Sequence, residues 1–308
     1  MAVEVWRHLL VDRIAITVTM KSLDLYKFAL SQLYGLVDIQ KDLLPLGRIF
    51  VRKEEYCTRL DYYPEYKMKQ TRRCIANITV GSNVLFGKGG VHRYFKLTLY
   101  PSQFQGEDFD RFKSVLEDHL PDFNYKRLHM YGKVNYLELA LDSLTHPNHT
   151  FLPYQKYVNI SQIYPETDGT MGTTYICSEE GNQRFRIYDK RRQLHDKGSA
   201  QHTKGLPHTR IELVLRRTGM TASELTSLEN GFAKLRISDL TKAKNYSTDP
   251  VWQAFLAACL VHGVPDSLKS FPMQRKKYLA VLDSFPVSWW HPETKWLQLP
   301  NALKRIEP

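Results

Sequence analysis

The sequence predicts an α+β fold: an antiparallel sheet with helices on one face, followed by a C-terminal helical region. Three observations predict it. Five segments alternate apolar and polar side chains with a period of two, and two longer stretches carry apolar residues at helical spacing. After about residue 245 the alternation stops and helical patterns take over, which divides the chain into 1–245 and a helical region 246–308. Period-two segments have one apolar and one chemically dressed face. A sheet covered by helices on one side and open on the other satisfies both.

The elements follow in chain order. In Arg13–Thr19, Ile14, Ile16 and Val18 alternate with Arg13, Ala15, Thr17 and Thr19. Ser22 opens a helical stretch to Val37 with Leu25, Phe28, Ala29, Leu33 and Leu36 on its apolar stripe. Phe95, Leu97 and Leu99 alternate within Tyr94–Tyr100, and Phe109, Phe112, Val115, Leu116 and Leu120 form a second helical stripe ending at Pro121. Leu137, Leu139 and Leu141 alternate within Tyr136–Asp142. Phe185 and Ile187 oppose Arg184, Arg186, Tyr188 and Lys190, and Ile211, Leu213 and Leu215 oppose Arg210, Glu212, Val214 and Arg216. Trp252–His262 is apolar, Gly263 and Pro265 break it, and Pro272 interrupts the run to Leu282.

With 308 residues, 43% of them hydrophobic, the chain can bury one large core or two modest ones. Its 43 Lys and Arg against 32 Asp and Glu give a net charge of +11. Such an excess favours polyanionic partners, nucleic acid before membrane, because no apolar run is long enough to span a bilayer. The bland alternative is that the charge serves solubility. Cys57, Cys74, Cys177 and Cys259 lie far apart, without a CxxC pair, which argues against a zinc cluster and for free thiols in a reducing compartment. Met1–Leu10 carries Glu4 and Arg7 and does not read as a signal peptide, so a cytoplasmic location is expected.

Tyr188 lies in Arg184-Phe-Arg-Ile-Tyr-Asp-Lys190-Arg191-Arg192. A free tyrosine is only about one-thousandth phenolate at neutral pH. Arg186 and Lys190, each two residues away and on the same face, would favour the phenolate and hold a phosphate beside it. A surface strand with solvated basic side chains would read the same way. Glu138 and Asp142 share one strand face and Glu212 occupies another, so the three could hold Mg²⁺ or Mn²⁺ through hard oxygen ligands. Ordinary pairing of Glu212 with Arg210 or Arg216 is the alternative.

Tyr62, Tyr63, Tyr66, Lys67, Lys69, Arg72 and Arg73 form a basic, aromatic stretch suited to phosphates and exposed bases, or else a loop whose tyrosines pack on the core. Lys190–His208 is polar, with Arg191, Arg192, Lys197, Lys204, His195, His202 and His208, and reads as a mobile basic loop at the mouth of the site.

The order Tyr136-Leu-Glu-Leu-Ala-Leu-Asp142, Thr174-Tyr-Ile-Cys-Ser178, Arg186-Ile-Tyr-Asp-Lys190 and Arg210-Ile-Glu-Leu-Val214 resembles the replication initiation factor family. That family comprises rolling-circle initiators of small plasmids and related phages, and relaxases of integrative elements. Tyr94-Phe-Lys-Leu-Thr-Leu-Tyr-Pro-Ser102 is similar to a segment of filamentous phage initiators, and the likeness spans roughly 12–217. The resemblance implies a ferredoxin-like sheet related to the HUH endonucleases, and a divalent-metal enzyme that nicks and joins DNA at an origin. By motif match Tyr188 is the nucleophile, forming a 5′-phosphotyrosine with Arg186 and Lys190 beside it. Glu138 and Glu212 match acidic positions, and Arg184, Arg191, Arg192 and Arg210 fall to DNA contact. The same resemblance implies a host helicase as partner. This chain departs from the family pattern at Tyr136, where an Arg is usual, and at Cys177, where a Gly is usual. It has no His-hydrophobic-His pair on a strand, so an acidic or mixed metal site is expected, with His129 as an extra ligand and Tyr175 as a conceivable second tyrosine.

Two other functions compete. A non-catalytic binder of single-stranded DNA or RNA would use the same basic, aromatic surface. A tyrosine recombinase or topoisomerase would place its tyrosine in a mainly helical catalytic domain, whereas Tyr188 sits in a strand pattern.

Overall fold

The structure, a computed structural model, describes residues 8–38, 48–53, 57–64, 74–85, 90–143, 147–158, 160–165, 172–196 and 208–308. Its elements run β1 (Leu10–Met20), α1 (Leu23–Asp38), β2 (Arg48–Lys53), β3 (Cys57–Tyr63), β4 (Ala76–Leu85), β5 (Gly90–Leu99), α2 (Asp108–His119), α3 (Tyr125–Tyr131) and β6 (Lys133–Ser143). The short strands β7 (Phe151–Tyr154), β8 (Ser161–Tyr164) and β9 (Thr173–Ile176) follow, then β10 (Gln183–Asp189), α4 (Lys190–Asp196), β11 (Thr209–Arg216) and β12 (Arg236–Asp239). The remainder is helical: α5 (Leu240–Asn245), α6 (Pro250–His262), α7 (Val264–Ser267), α8 (Arg275–Asp283), α9 (Pro292–Trp296) and α10 (Leu299–Leu303). The fold is therefore α+β, with antiparallel strand pairing and a helical C-terminal part. All five alternating segments are strands and both early helical stripes are helices.

Two compact units divide the chain: one of Val11–Glu138, Arg216–Leu228 and Leu303–Pro308, the other chiefly of Leu139–Leu215 and Glu229–Ala302. A single cut at 245/246 does not reproduce this division, because the C-terminal helices share a core with residues before it.

In the first unit, antiparallel strands run in the order β2-β3-β4-β5-β1. Register places Ile14 opposite Leu99, Ile16 opposite Leu97 and Val18 opposite Phe95, with Ile78 opposite Leu97 and Leu60 opposite Ile78. Their side chains make one apolar face, and the helices cover it. Phe112 of α2 packs on Tyr62 with ring centroids 5.0 Å apart, Phe123 stacks on Phe95 at 4.2 Å, and Tyr34 of α1 reaches Thr58 at 3.3 Å. Helices on one face of a sheet are what the alternation requires.

This packing corrects one expectation. Tyr62 is not part of a base-stacking loop; it lies in β3 on the apolar face and is fully buried. Tyr66, Lys67, Lys69, Arg72 and Arg73, expected to contact DNA, lie outside the described residues.

In the second unit, β11-β10-β9-β8 form an antiparallel array and β7 pairs with β12. Phe185 lies opposite Leu213 and Ile187 opposite Ile211, and Phe232 covers this apolar face with its ring 6.3 Å from Phe185. The opposite face carries Arg184, Arg186 and Tyr188 beside Arg210 and Glu212.

The C-terminal helices enclose a core in which Trp252, Phe255, Leu256, Cys259, Tyr278 and Leu282 meet Leu152 and Tyr154 of β7. Asp249 caps α6 by accepting from the Val251 N–H at 2.9 Å, with Pro250 in the first turn. Gly263 ends it at φ 79°, where a Cβ would run into the Ser161 hydroxyl, so only glycine both turns the chain and lets β8 approach. Ser161 seals the join by donating to the His262 carbonyl at 2.7 Å.

Candidate active site

β10 and β11 place the central group of the second unit. Their register sets Arg186 opposite Glu212 and Tyr188 opposite Arg210, so all four side chains share the polar face. The Tyr188 hydroxyl donates to Glu212 Oε1 at 2.6 Å, and the Arg186 guanidinium pairs with Glu212 Oε2. Lys190 Nζ lies 3.4 Å from the Tyr188 oxygen and donates to Gln193 at 2.7 Å. The guanidinium of Arg186 stands 5.4 Å from the centre of the Tyr188 ring, and Lys190 Nζ 5.6 Å.

Tyr188 is only 4% exposed, although it belongs to the charged face. Burial is the main cause that raises its pKa well above the ordinary tyrosine value. Glu212 adds to the rise, and Arg210 and Arg186 oppose it without reversing it. The cations do favour the phenolate, as expected of Arg186, but burial and Glu212 outweigh them. At rest Tyr188 holds its proton and shares it with a carboxylate.

Arg210 and Asp142 also differ from expectation. Arg210 is buried and grips Asp142 with two parallel bonds, Nε to Oδ1 at 2.6 Å and Nη2 to Oδ2 at 2.8 Å. His208 Nε2 lies 3.4 Å from the same carboxylate and is buried with it, not a solvated loop histidine. Burial alone would raise the Asp142 pKa, but the hydrogen bonds from Arg210, helped by the nearby His208, outweigh it and hold the carboxyl below the usual range. Asp142 is thus spent on fixing Arg210, and Arg210 on reaching from Asp142 towards Glu212, with Nη1 4.0 Å from Oε1.

The segment after Tyr188 begins as a helix. Asp189 Oδ1 accepts from the Arg192 N–H at 3.1 Å at the start of α4, so the stretch expected to be wholly a loop is ordered up to Asp196. Arg191 is exposed there and Arg192 half-buried. Lys197, His202 and Lys204 lie outside the described residues. Arg184 stacks on Tyr175, its guanidinium 3.9 Å from the ring centre.

Cys177, the position where the resemblance implies a glycine, has φ 79°, the left-handed region that glycine enters without a steric penalty. Burial pushes its thiol up to about 11, so it is neutral at physiological pH.

In the first unit, Glu138 is buried and accepts a bond from the Tyr136 hydroxyl at 2.8 Å. Arg13 lies over the Tyr136 ring at 4.6 Å and Arg216 at 6.0 Å. Tyr136, which takes the place of the family's usual Arg, thus gathers two guanidinium groups beside the acid. Asp12 and Glu138 each present a carboxylate oxygen, the two within 4.8 Å of one another, a spacing a divalent cation can bridge. Asp12 carries no signal in the sequence except its place just before the alternation of β1. His129 sits on α3 against Tyr125, with centroids 5.9 Å apart, and burial lowers its pKa. Among the described residues it does not join these carboxylates.

No protein-family model matches the chain, and no curated protein does. Among solved structures, one described as the rolling circle replication initiator protein from Geobacillus stearothermophilus is 13% identical, covering 83% of this chain and 98% of its own, with a TM-score of 0.35. No helix among the described residues is long and apolar enough to cross a membrane.

Proposed function

We propose that this chain initiates rolling-circle replication by nicking and rejoining single-stranded DNA through Tyr188. The observation that carries the reading is the 2.6 Å hydrogen bond from the Tyr188 hydroxyl to Glu212, flanked by Arg186, Arg210 and Lys190. A nucleophile within hydrogen-bond reach of a base, with that base oriented by further groups, is the arrangement covalent catalysis needs.

The Tyr188 oxygen attacks the phosphorus while its proton passes to Glu212. A P–O tyrosyl bond forms, the P–O3′ bond breaks, and the freed 3′-oxygen takes up a proton from water. The 5′-phosphate stays on the enzyme, ready for the reverse reaction. Arg186 and Lys190 face the charge that grows on the phosphate oxygens. Arg210, anchored by Asp142, keeps Glu212 in place. Arg184, Arg191 and Arg192 are proposed contacts for the DNA backbone.

Glu138 and Asp12 fit Mg²⁺ or Mn²⁺, since both are hard oxygen donors at bridging distance. When bound there, such an ion would supply a Lewis acid able to polarise a phosphodiester. Glu212, expected as a metal ligand, is proposed also as proton acceptor, because one of its oxygens already accepts from the Tyr188 hydroxyl. A host helicase and a cytoplasmic location belong to the same proposal.

One observation favours a second reading. A tyrosine 4% exposed, with a raised pKa, also suits a fixed strut in a non-catalytic binder of single strands. Incubating the protein with supercoiled DNA of its own replicon and Mg²⁺ separates the two. The nickase yields relaxed circles and covalent protein–DNA adducts; a binder leaves the circles closed.

A further inference from the structure

We infer that Tyr164, Tyr175 and Arg184 form a base-stacking subsite for single-stranded DNA beside the Tyr188 group. This inference rests on the nickase reading for its biological meaning, but its binding chemistry stands on the residues themselves.

The strand register supplies the placement. Tyr175 lies opposite Arg186, and Tyr164 opposite Thr173, on the same polar face as Tyr188. Continued by one pair, the β9–β10 register sets Thr173 opposite Tyr188, so Tyr164 shares a row with Tyr188 two strands away, about 10 Å at the usual strand spacing. Tyr164 meets Tyr175 edge-on, with centroids 5.6 Å apart and planes at 88°, and is 55% exposed. An edge contact holds the Tyr164 ring upright while leaving a face open to solvent. Among the described residues its hydroxyl has one long contact, 3.5 Å to Gln162.

Arg184 completes the subsite. Its guanidinium sits over the Tyr175 ring, 3.9 Å from the ring centre, a contact that restrains its position. One terminal nitrogen is 3.7 Å from the exposed carboxylate of Glu179, a loose pair that a phosphate can displace. Its Nε is buried with no hydrogen-bond partner. An exposed ring next to a positioned guanidinium is what single-stranded binding sites combine: a π-face that accepts any base and a cation for the backbone. Duplex DNA keeps its bases stacked and does not offer one to Tyr164.

The test is fluorescence anisotropy of a labelled oligo-dT with the full chain in EDTA, where no metal-dependent step can contribute. Tyr164→Ala is expected to weaken binding about tenfold, at the lower end of what one aromatic stack contributes. Tyr164→Trp is expected to restore it, and a duplex of the same length should bind both alike. Arg184→Gln should lower the salt slope by about 0.7, the loss of one phosphate contact. Unchanged oligo-dT affinity in Tyr164→Ala, or an equal loss for duplex, overturns the subsite. A parallel assay with replicon DNA and Mg²⁺ reads covalent adduct separately. Adducts without a Tyr164 effect remove only the subsite; a Tyr164 effect without adducts keeps the subsite and removes the nickase.

Discussion

The Tyr188 hydroxyl and Glu212 Oε1 sit 2.6 Å apart on neighbouring strands, with the tyrosine as donor. The carboxylate is therefore a proton acceptor already in contact with the oxygen that must lose its proton. Because burial raises the tyrosine pKa, a resting phenolate is not available and the carboxylate becomes essential. Glu212→Gln preserves shape but cannot take the proton. Its single-turnover nicking rate should fall by about 10²–10⁴-fold, the usual contribution of a positioned base, with DNA affinity little changed. A rate within a factor of a few of wild type would remove Glu212 from that role.

Asp142 and Arg210 are a buried, bidentate pair, and removing one partner strands the other. Asp142→Ala should cost about 3–5 kcal/mol in urea unfolding, as for other broken buried pairs. The pH dependence follows from the depressed Asp142 pKa. Its contribution to stability is complete above the ordinary aspartate value and fades as pH falls below it towards the folded-state pKa. Wild type should therefore lose stability below about pH 4, and Asp142→Asn should lack that component of the acid transition.

Cys177 occupies backbone that favours glycine. Cys177→Gly should raise stability by about 0.5–1 kcal/mol, relief of the left-handed strain exceeding the added entropy of the unfolded chain. Thermal unfolding measures it, and a lower Tm would show that the Cys177 contact with Gln155, 3.3 Å from sulfur to oxygen, outweighs the strain.

Asp12 and Glu138 offer oxygens at bridging distance. Glu138→Ala and Asp12→Ala should each raise the Mn²⁺ concentration giving half-maximal nicking by about tenfold or more, the loss of one ligand. Identical titrations for wild type and both variants would remove the pair from metal binding.

Much of this arrangement is legible in the sequence. Period-two alternation in Arg184–Lys190 and Arg210–Arg216 is enough to put Tyr188 and Glu212 on polar strand faces. Alternation does not reveal register, which decides that Arg186 faces Glu212 and Tyr188 faces Arg210. For the same reason Asp142 reads as a free ligand, since nothing in the residue order pairs it with Arg210. β3 is hidden because its buried positions on the apolar face are Thr58, Leu60 and Tyr62, only one of them aliphatic. β8 and β9 span four residues each, too few for a period to declare itself, and Tyr164 is hidden with them. The departure at Cys177 is visible as a missing glycine, but only the backbone angle shows what it costs.

The most direct measurement is mass spectrometry of the peptide that carries the nucleotide after reaction with replicon DNA and Mg²⁺, alongside Tyr188→Phe. The adduct should map to Tyr188, and Tyr188→Phe should form none while binding DNA with near-wild-type affinity. An adduct on another residue, such as Tyr175, or undiminished cleavage by Tyr188→Phe, would contradict the account.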